Sequence, residues 1–358
     1  MSRLDLVVAG RRVLVDGAIR EAEVGIADGR IVAVEPLGDG LDGRDLLVLG
    51  SDEVLLPGLI GLSLPSPAQD AAAALPALAA AAASGGVTTL LEASSAASGD
   101  QLMQDRLAAD RAALVDVAFI ASVDLRTPAS LESLHGAGVH GFLVALGMVG
   151  DEDATRTGLR EVAEVLGRLD ATLTLLLRDP DAVRLVREAL PEPSAALHVL
   201  DLTGRALPLA APWAPAASVT TGVPVDRLSG TDGRDTDGLW TALLQGGIDL
   251  LLPVSDPAGD GPAALQVTLP LIWTEARRRD VPLVRLLSWL IDGPAHWAGL
   301  PAKGRIAPGC DADLVVFAPE EVAADGPGTG LSGRVRQTYL GGRLIDTEAP
   351  AGRLLRAR

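Results

Sequence analysis

Two apolar textures divide the chain, and together they predict an α/β fold: a (β/α)8 barrel of the TIM type with a small sheet domain built from both termini. The first texture is a series of short alternating runs punctuated by Asp-Gly or Gly. It fills the first 55 residues and returns from about 304. The second lies between them and consists of eight short apolar runs separated by amphipathic stretches. Repeated β–α alternation calls for a parallel sheet with helices outside. Eight such units in about 245 residues fit a closed barrel of ordinary size.

The N-terminal strands read LDLVVAG (4–10), RRVLVDG (11–17), EAEVGIADG (21–29) and RIVAVEPLG (30–38). No helical period is sustained there, and the Asp-Gly pairs mark hairpin turns. The barrel runs are LLPGLIGL (55–62), VTTLLEA (87–93), VDVAFIASV (115–123), GFLVALGM (141–148), TLTLLLRD (172–179), ALHVLDLTG (196–204), ASVTTGV (217–223) and IDLLLPVSD (248–256). The stretches 105–114, 156–168, 181–190 and 235–245 carry the helical pattern between them. GRIAPG (304–309), ADLVVFAP (312–319) and RVRQTYLGGRLID (334–346) return to the first texture. Strands from the two ends share one domain because domain termini commonly lie close together. An open doubly wound sheet is the alternative, but SGGVTT (84–89) lacks the G-x-G-x-x-G of a dinucleotide loop.

The chain has 358 residues, 48% hydrophobic and 22% charged, which excludes a disordered protein. Its net charge of -17 argues against nucleic acid or an anionic membrane as partner. One cysteine, Cys310, excludes an internal disulfide and a Cys-based zinc site. Lys303 is the single lysine, so nearly all positive charge is arginine. The N-terminal apolar run is broken by Arg11 and Arg12, too early for a signal peptide. The alanine-rich stretch 71–83 is too short to span a bilayer. The expected location is the cytoplasm.

Several of these runs resemble the cyclic amidohydrolases, in particular the dihydroorotase and allantoinase group. LLPGLI (55–60) is similar to the run that opens the family's first barrel strand, and GGVTTLLE (85–92) to its GGVTT motif. GLWTALLQGGIDLLLPVSD (238–256) resembles the unit ending in the family's catalytic aspartate. The stretch 268–317 is similar to the last helices and the return to the small domain. The resemblance implies a barrel over 56–301 and a β-sandwich from 1–55 and 302–358. It covers nearly the whole chain, loosely between 100 and 235. Family members are usually longer, which implies shortened barrel loops.

The resemblance also implies a metal-dependent site. The family holds zinc with a His-x-His after strand 1, a carboxylated lysine on strand 4 and histidines after strands 5 and 6. An aspartate on strand 8 moves the proton. Here the two histidine positions are Ser63 and Pro65, the lysine position is Leu143, strand 5 (TLTLLLRDPD) has no histidine, and Asp201 stands at the strand 6 position. Proline has no side-chain donor and serine is a poor zinc ligand. Because Lys303 is the sole lysine, no shift of alignment restores a lysine within the barrel strands. Asp256 matches the catalytic aspartate. Asp179, Asp201 and Asp256 all fall near C-terminal strand ends, as a weak cation site or as solvated charges.

The four histidines, His135, His140, His198 and His296, show no ligand spacing and read as structural. Cys310 reads as a small buried hydrophobe.

The expectation is therefore an inactive amidohydrolase-fold protein with no zinc or other cofactor. Asp256 would be a remnant, and Ser63, Pro65, Leu143 and Asp201 would line a pocket. Its role would be structural or regulatory, in a homo-oligomer or beside a protein partner, with aspartate transcarbamoylase of pyrimidine biosynthesis the partner the resemblance implies. Two alternatives stand beside it: a cyclic-amide hydrolase with a remodelled site, and a small-molecule binding module.

Overall fold

A computed structural model describes residues 3–65, 71–126, 130–147, 151–210, 219–229, 236–257 and 259–357. The chain opens with strands β1 (Leu4–Val15), β2 (Ala18–Ala27), β3 (Arg30–Glu35), β4 (Gly43–Val48) and β5 (Val54–Pro57). The turns β1–β2 and β2–β3 are the Asp-Gly pairs. Asp16 and Gly17 have φ of 50° and 72°, and Asp28 and Gly29 have 50° and 76°, the left-handed values that a two-residue hairpin turn requires. β1 shifts register between Gly10 and Val13. Its first half pairs with β4 and its second half reaches β5.

The barrel strands follow as β6 (Leu59–Ser63), β7 (Val87–Ser94), β8 (Asp116–Ser122), β9 (Phe142–Leu146), β10 (Thr172–Leu177), β11 (Ala196–Leu200), β12 (Val219–Pro224), β13 (Leu250–Leu252) and β14 (Val254–Ser255). β13 and β14 are halves of one strand, broken at Pro253, which has no N–H to give a ladder. The sheet runs β13-β12-β11-β10-β9-β8-β7-β6-β14, so it starts and ends on the same broken strand and closes as a (β/α)8 barrel. The helices are α1 (Ala71–Ser84), α2 (Gly99–Asp110), α3 (Leu131–Gly136), α4 (Glu152–Arg168), α5 (Pro180–Ala189), α6 (Leu207–Ala210), α7 (Thr236–Leu244), α8 (Pro262–Arg278), α9 (Leu283–Leu287) and α10 (Gly293–Trp297). The helix expected over 105–114 starts earlier, where Ser98 caps it, and ends at Asp110. The backbone then straightens into β8.

After the barrel, β15 (Leu314–Val322), β16 (Ser332–Leu340) and β17 (Arg343–Leu344) join the first sheet in the order β17-β16-β15-β5-β1-β2-β3. Strands from both ends of the chain thus share one sheet. Val8, Val13, Val24, Leu55, Leu314 and Val316 form its core. The final residues leave that sheet and run along β8, where Val117 N–H donates to Arg353 O at 2.9 Å and Leu355 N–H to Val117 O at 2.8 Å.

The two glycines of the GGVTT run are structural. A Cβ on Gly85 would sit 2.0 Å from Leu265 O of α8, and Gly86 adopts φ +84°. The first glycine lets α8 approach the strand, and the second turns the chain into β7.

Strand alternation sorts the barrel residues into two layers. Leu62, Leu91, Ile120, Leu143, Leu176 and Leu252 fill the lumen. Leu59, Leu90, Phe119, Leu175 and Val199 pack outward against the helices. Trp297 of α10 belongs to the lumen cluster. Its indole N–H donates to Thr174 Oγ1 at 3.3 Å, and its ring lies 5.0 Å from that of His198. Among the described residues no helix is long and apolar enough to cross a membrane.

Candidate active site

Active sites of such barrels lie at the C-terminal ends of the strands, and two polar groups stand there. The first is an ion-pair chain. Arg178 follows β10 and donates through Nε to Asp201 Oδ2 at 2.6 Å and through a terminal nitrogen to Asp256 Oδ2 at 2.5 Å. Arg227 donates to both oxygens of Asp201, at 2.8 and 3.1 Å. β11 ends at Leu200, and Asp201 takes a left-handed φ of +67°, which ends the alternation and brings its carboxylate to both guanidiniums. Asp201 is 2% exposed, and both of its oxygens are paired with guanidinium groups, as a buried carboxylate requires. The bonds to Asp201 and Asp256 hold the Arg178 pKa above its ordinary value against the opposing effect of burial.

The second group is a row across four strands. Register pairs Ser255 with Ser63, Ser63 with Glu92, and Glu92 with Phe119. Paired residues of parallel strands share a face, here the helix-facing one, since Leu62 and Leu64 point into the lumen. The row lines a cavity of about 450 Å³, together with Pro65, Ser94, Leu75 and Leu78 of α1, and Gln101 and Asp105 of α2. Glu92 is 8% exposed. It is hydrogen-bonded to Ser63, and burial, with the Asp105 charge adding, raises its pKa to about 7. Its other oxygen, Oε2, has no hydrogen-bond partner. Ser94 Oγ donates to Asp105 Oδ2 at 2.6 Å, which fixes that carboxylate at the cavity wall. A larger cavity, about 1150 Å³, lies between the β1–β2 turn and helices α9 and α10, away from the C-terminal strand ends.

The structure thus separates the residues read from the sequence. Ser63 and Pro65 line the Glu92 cavity. Leu143 is 1% exposed within the lumen cluster. Asp201 and Asp256 share Arg178, whereas Asp179 caps α5 by accepting Asp181 N–H at 2.9 Å. His198 accepts or donates through Nδ1 to Thr220 Oγ1 at 2.8 Å, and burial lowers its pKa to about 3, so the ring is neutral. His140 Nδ1 lies 3.2 Å from Ala298 O. His135 sits in the last turn of α3, His296 is exposed on α10, and Cys310 is buried. Glu92 was not singled out from the sequence. The signal was present: an acidic residue inside an apolar strand that is buried on both faces.

These residues do not fit a pair of zinc ions. Leu64, Leu91, Leu143 and Leu176 stand in the lumen toward the strand ends, and Asp201 already accepts from two guanidiniums. Among the described residues, the group with three potential ligands within reach of one another is Asp116, Asp311 and Asp313. It lies at the first residue of β8, at the opposite end of the barrel. Lys303 Nζ already fills it, 2.5 Å from Asp116 and from Asp313 and 3.0 Å from Asp311. Arg353 adds contacts of 2.8 Å to Asp116 and 2.9 Å to Asp311. This buried cluster ties the barrel to the β15 segment and the C-terminal tail.

No family model matches the chain. An allantoinase from Streptomyces avermitilis is 30% identical to it, with 99% of each chain covered. An allantoinase from Rubrobacter xylanophilus is 27% identical, covering 99% of this chain and 98% of that protein. Among solved structures, the L-hydantoinase (dihydropyrimidinase) of Arthrobacter aurescens superposes with a TM-score of 0.77 at 17% identity, over 98% of this chain and 97% of that one. With its closed barrel, its added sheet and this full-length similarity, the chain belongs to the cyclic amidohydrolase family.

That finding corrects the expectation of an inactive assembly partner for aspartate transcarbamoylase. Both full-length relatives are named allantoinases, and this similarity favours the reading that stood as the alternative, a cyclic-amide hydrolase with a remodelled site.

Proposed function

We propose that this protein hydrolyses a cyclic amide, with allantoin or a hydantoin-like ring as the substrate class. The observation that carries the reading is the 30% identity to an allantoinase along the full length of both chains. Hydrolysis of such a ring needs a water made nucleophilic, a charged oxygen stabilised, and a proton delivered to the departing nitrogen. The strand ends offer groups suited to moving a proton and to binding polar ring atoms. Glu92 has a pKa matched to neutral pH, and Ser63, Ser94 and Gln101 line the same cavity. A cavity of about 450 Å³ accommodates a five-membered ureide ring.

The test is a panel of five- and six-membered cyclic amides, namely allantoin, hydantoin, dihydrouracil and dihydroorotate, incubated with purified protein. Ring opening is followed by formation of the new carboxylate. Saturable turnover of at least one ring supports the reading, and no turnover of any ring refutes it.

A further inference from the structure

We propose that Glu92 is the proton-transfer group of this reaction, acting on a ring seated in the cavity between β6, β7 and helices α1 and α2, without a metal. The proposal rests on the cyclic-amide reading and adds where and how the chemistry is done. Three observations carry it. The Ser255–Ser63–Glu92 row places polar side chains at the C-terminal ends of adjacent strands, on the cavity wall. Glu92 is 8% exposed, yet its Oε2 has no partner. A buried carboxyl oxygen left unpaired is costly and is retained where a ligand or a proton completes it. Finally, the donor set at the lumen mouth is committed to arginine, with Asp201 bound on both oxygens.

The step balances as follows. Glu92 carboxylate takes a proton from water while the water oxygen bonds to the amide carbon, and the carbonyl π pair moves to its oxygen. The tetrahedral intermediate collapses, the carbon–nitrogen bond breaks, and the proton on Glu92 passes to the leaving nitrogen. One cyclic amide and one water become one open chain that carries a carboxylic acid at one end and the protonated, freed nitrogen at the other, and Glu92 is returned as carboxylate. A group with a pKa near the working pH serves both halves of this cycle. Burial chiefly sets its level; the Ser63 bond favours the carboxylate, and the Asp105 charge adds to the opposition.

The experiment compares wild type with Glu92→Gln, Glu92→Asp and Ser63→Ala on the ring that the panel identifies, before and after exhaustive chelation. Glutamine copies the neutral carboxyl, so the variant folds. We expect kcat to fall by about 100-fold or more in Glu92→Gln with KM little changed, and partial activity in Glu92→Asp. In wild type the kcat profile rises through about pH 7. In Ser63→Ala that rise moves to higher pH, because the bond that favours the carboxylate is gone. Chelation leaves wild-type turnover intact. Turnover that survives in Glu92→Gln, or that chelation abolishes, overturns this proposal and leaves the cyclic-amide reading standing. Absence of wild-type turnover overturns the reading and this proposal with it.

Discussion

Replacing Glu92 by glutamine isolates the energetic consequence of burying a carboxyl beside Asp105. The Glu92 pKa is about 7 against an ordinary 4.5. At 1.36 kcal/mol per decade of proton affinity, that difference corresponds to about 3 kcal/mol. The sign follows from proton binding. Between pH 4.5 and 7 the folded chain holds the proton and the unfolded chain has released it. Stability from this group is therefore fully present below about pH 4.5, falls as pH rises, and levels off above about 7. Glutamine has no proton to lose and keeps the neutral group's stability throughout. Urea denaturation of both proteins at pH 5 and pH 9 reads the difference directly. The variant should exceed wild type by under about 1 kcal/mol at pH 5 and by about 3 kcal/mol at pH 9. Parallel pH curves for the two proteins would refute the assignment of Glu92 as a buried carboxyl with a raised pKa.

Further outcomes follow from the charged clusters and the neutral histidine. Lys303→Met leaves Asp116, Asp311 and Asp313 buried together and should cost about 3–5 kcal/mol in chemical denaturation; a loss under 1 kcal/mol, the scale of an exposed pair, would contradict the cluster's burial. Asp201→Asn should destabilise by about 3 kcal/mol, and Asp256→Asn, whose side chain is 24% exposed, by about 1 kcal/mol or less; equal losses in the same assay would contradict the two-guanidinium pairing. The His198 ring should show no titration by NMR between pH 4.5 and 8, since its pKa lies near 3. Its folded pKa is depressed, so its contribution is present above the unfolded value of about 6.5 and is lost as pH falls toward 3.

The architecture was legible in the sequence because it rests on local signals. Asp16-Gly17 and Asp28-Gly29 announce their hairpins, and eight apolar runs with helical spacers announce a barrel. The site was less legible because its facts are not local. All five residues of β6 are buried, so no polar alternation shows that Ser63 faces the helices while Leu62 faces the lumen. Glu92 stands within a motif whose glycines drew attention to the turn rather than to the strand. The meeting of Arg178 with Asp201 and Asp256 spans 78 residues and depends on the left-handed turn at Asp201, which composition does not reveal. Lys303 was visible as the sole lysine, but its use as the cation within three buried carboxylates required the fold. The expectation of inactivity had the same origin: the ligand positions were read as an inventory, although a second polar group stands one layer outward at the strand ends.

The most direct measurement of the central claim is the opening of allantoin by the purified, chelated protein at pH 7.5, followed by 13C NMR. The account predicts loss of the ring carbonyl resonance and growth of a carboxylate resonance, at a rate proportional to protein concentration and at least about 100-fold lower for Glu92→Gln. An unchanged ring spectrum, with hydantoin and the six-membered rings equally untouched, would contradict it.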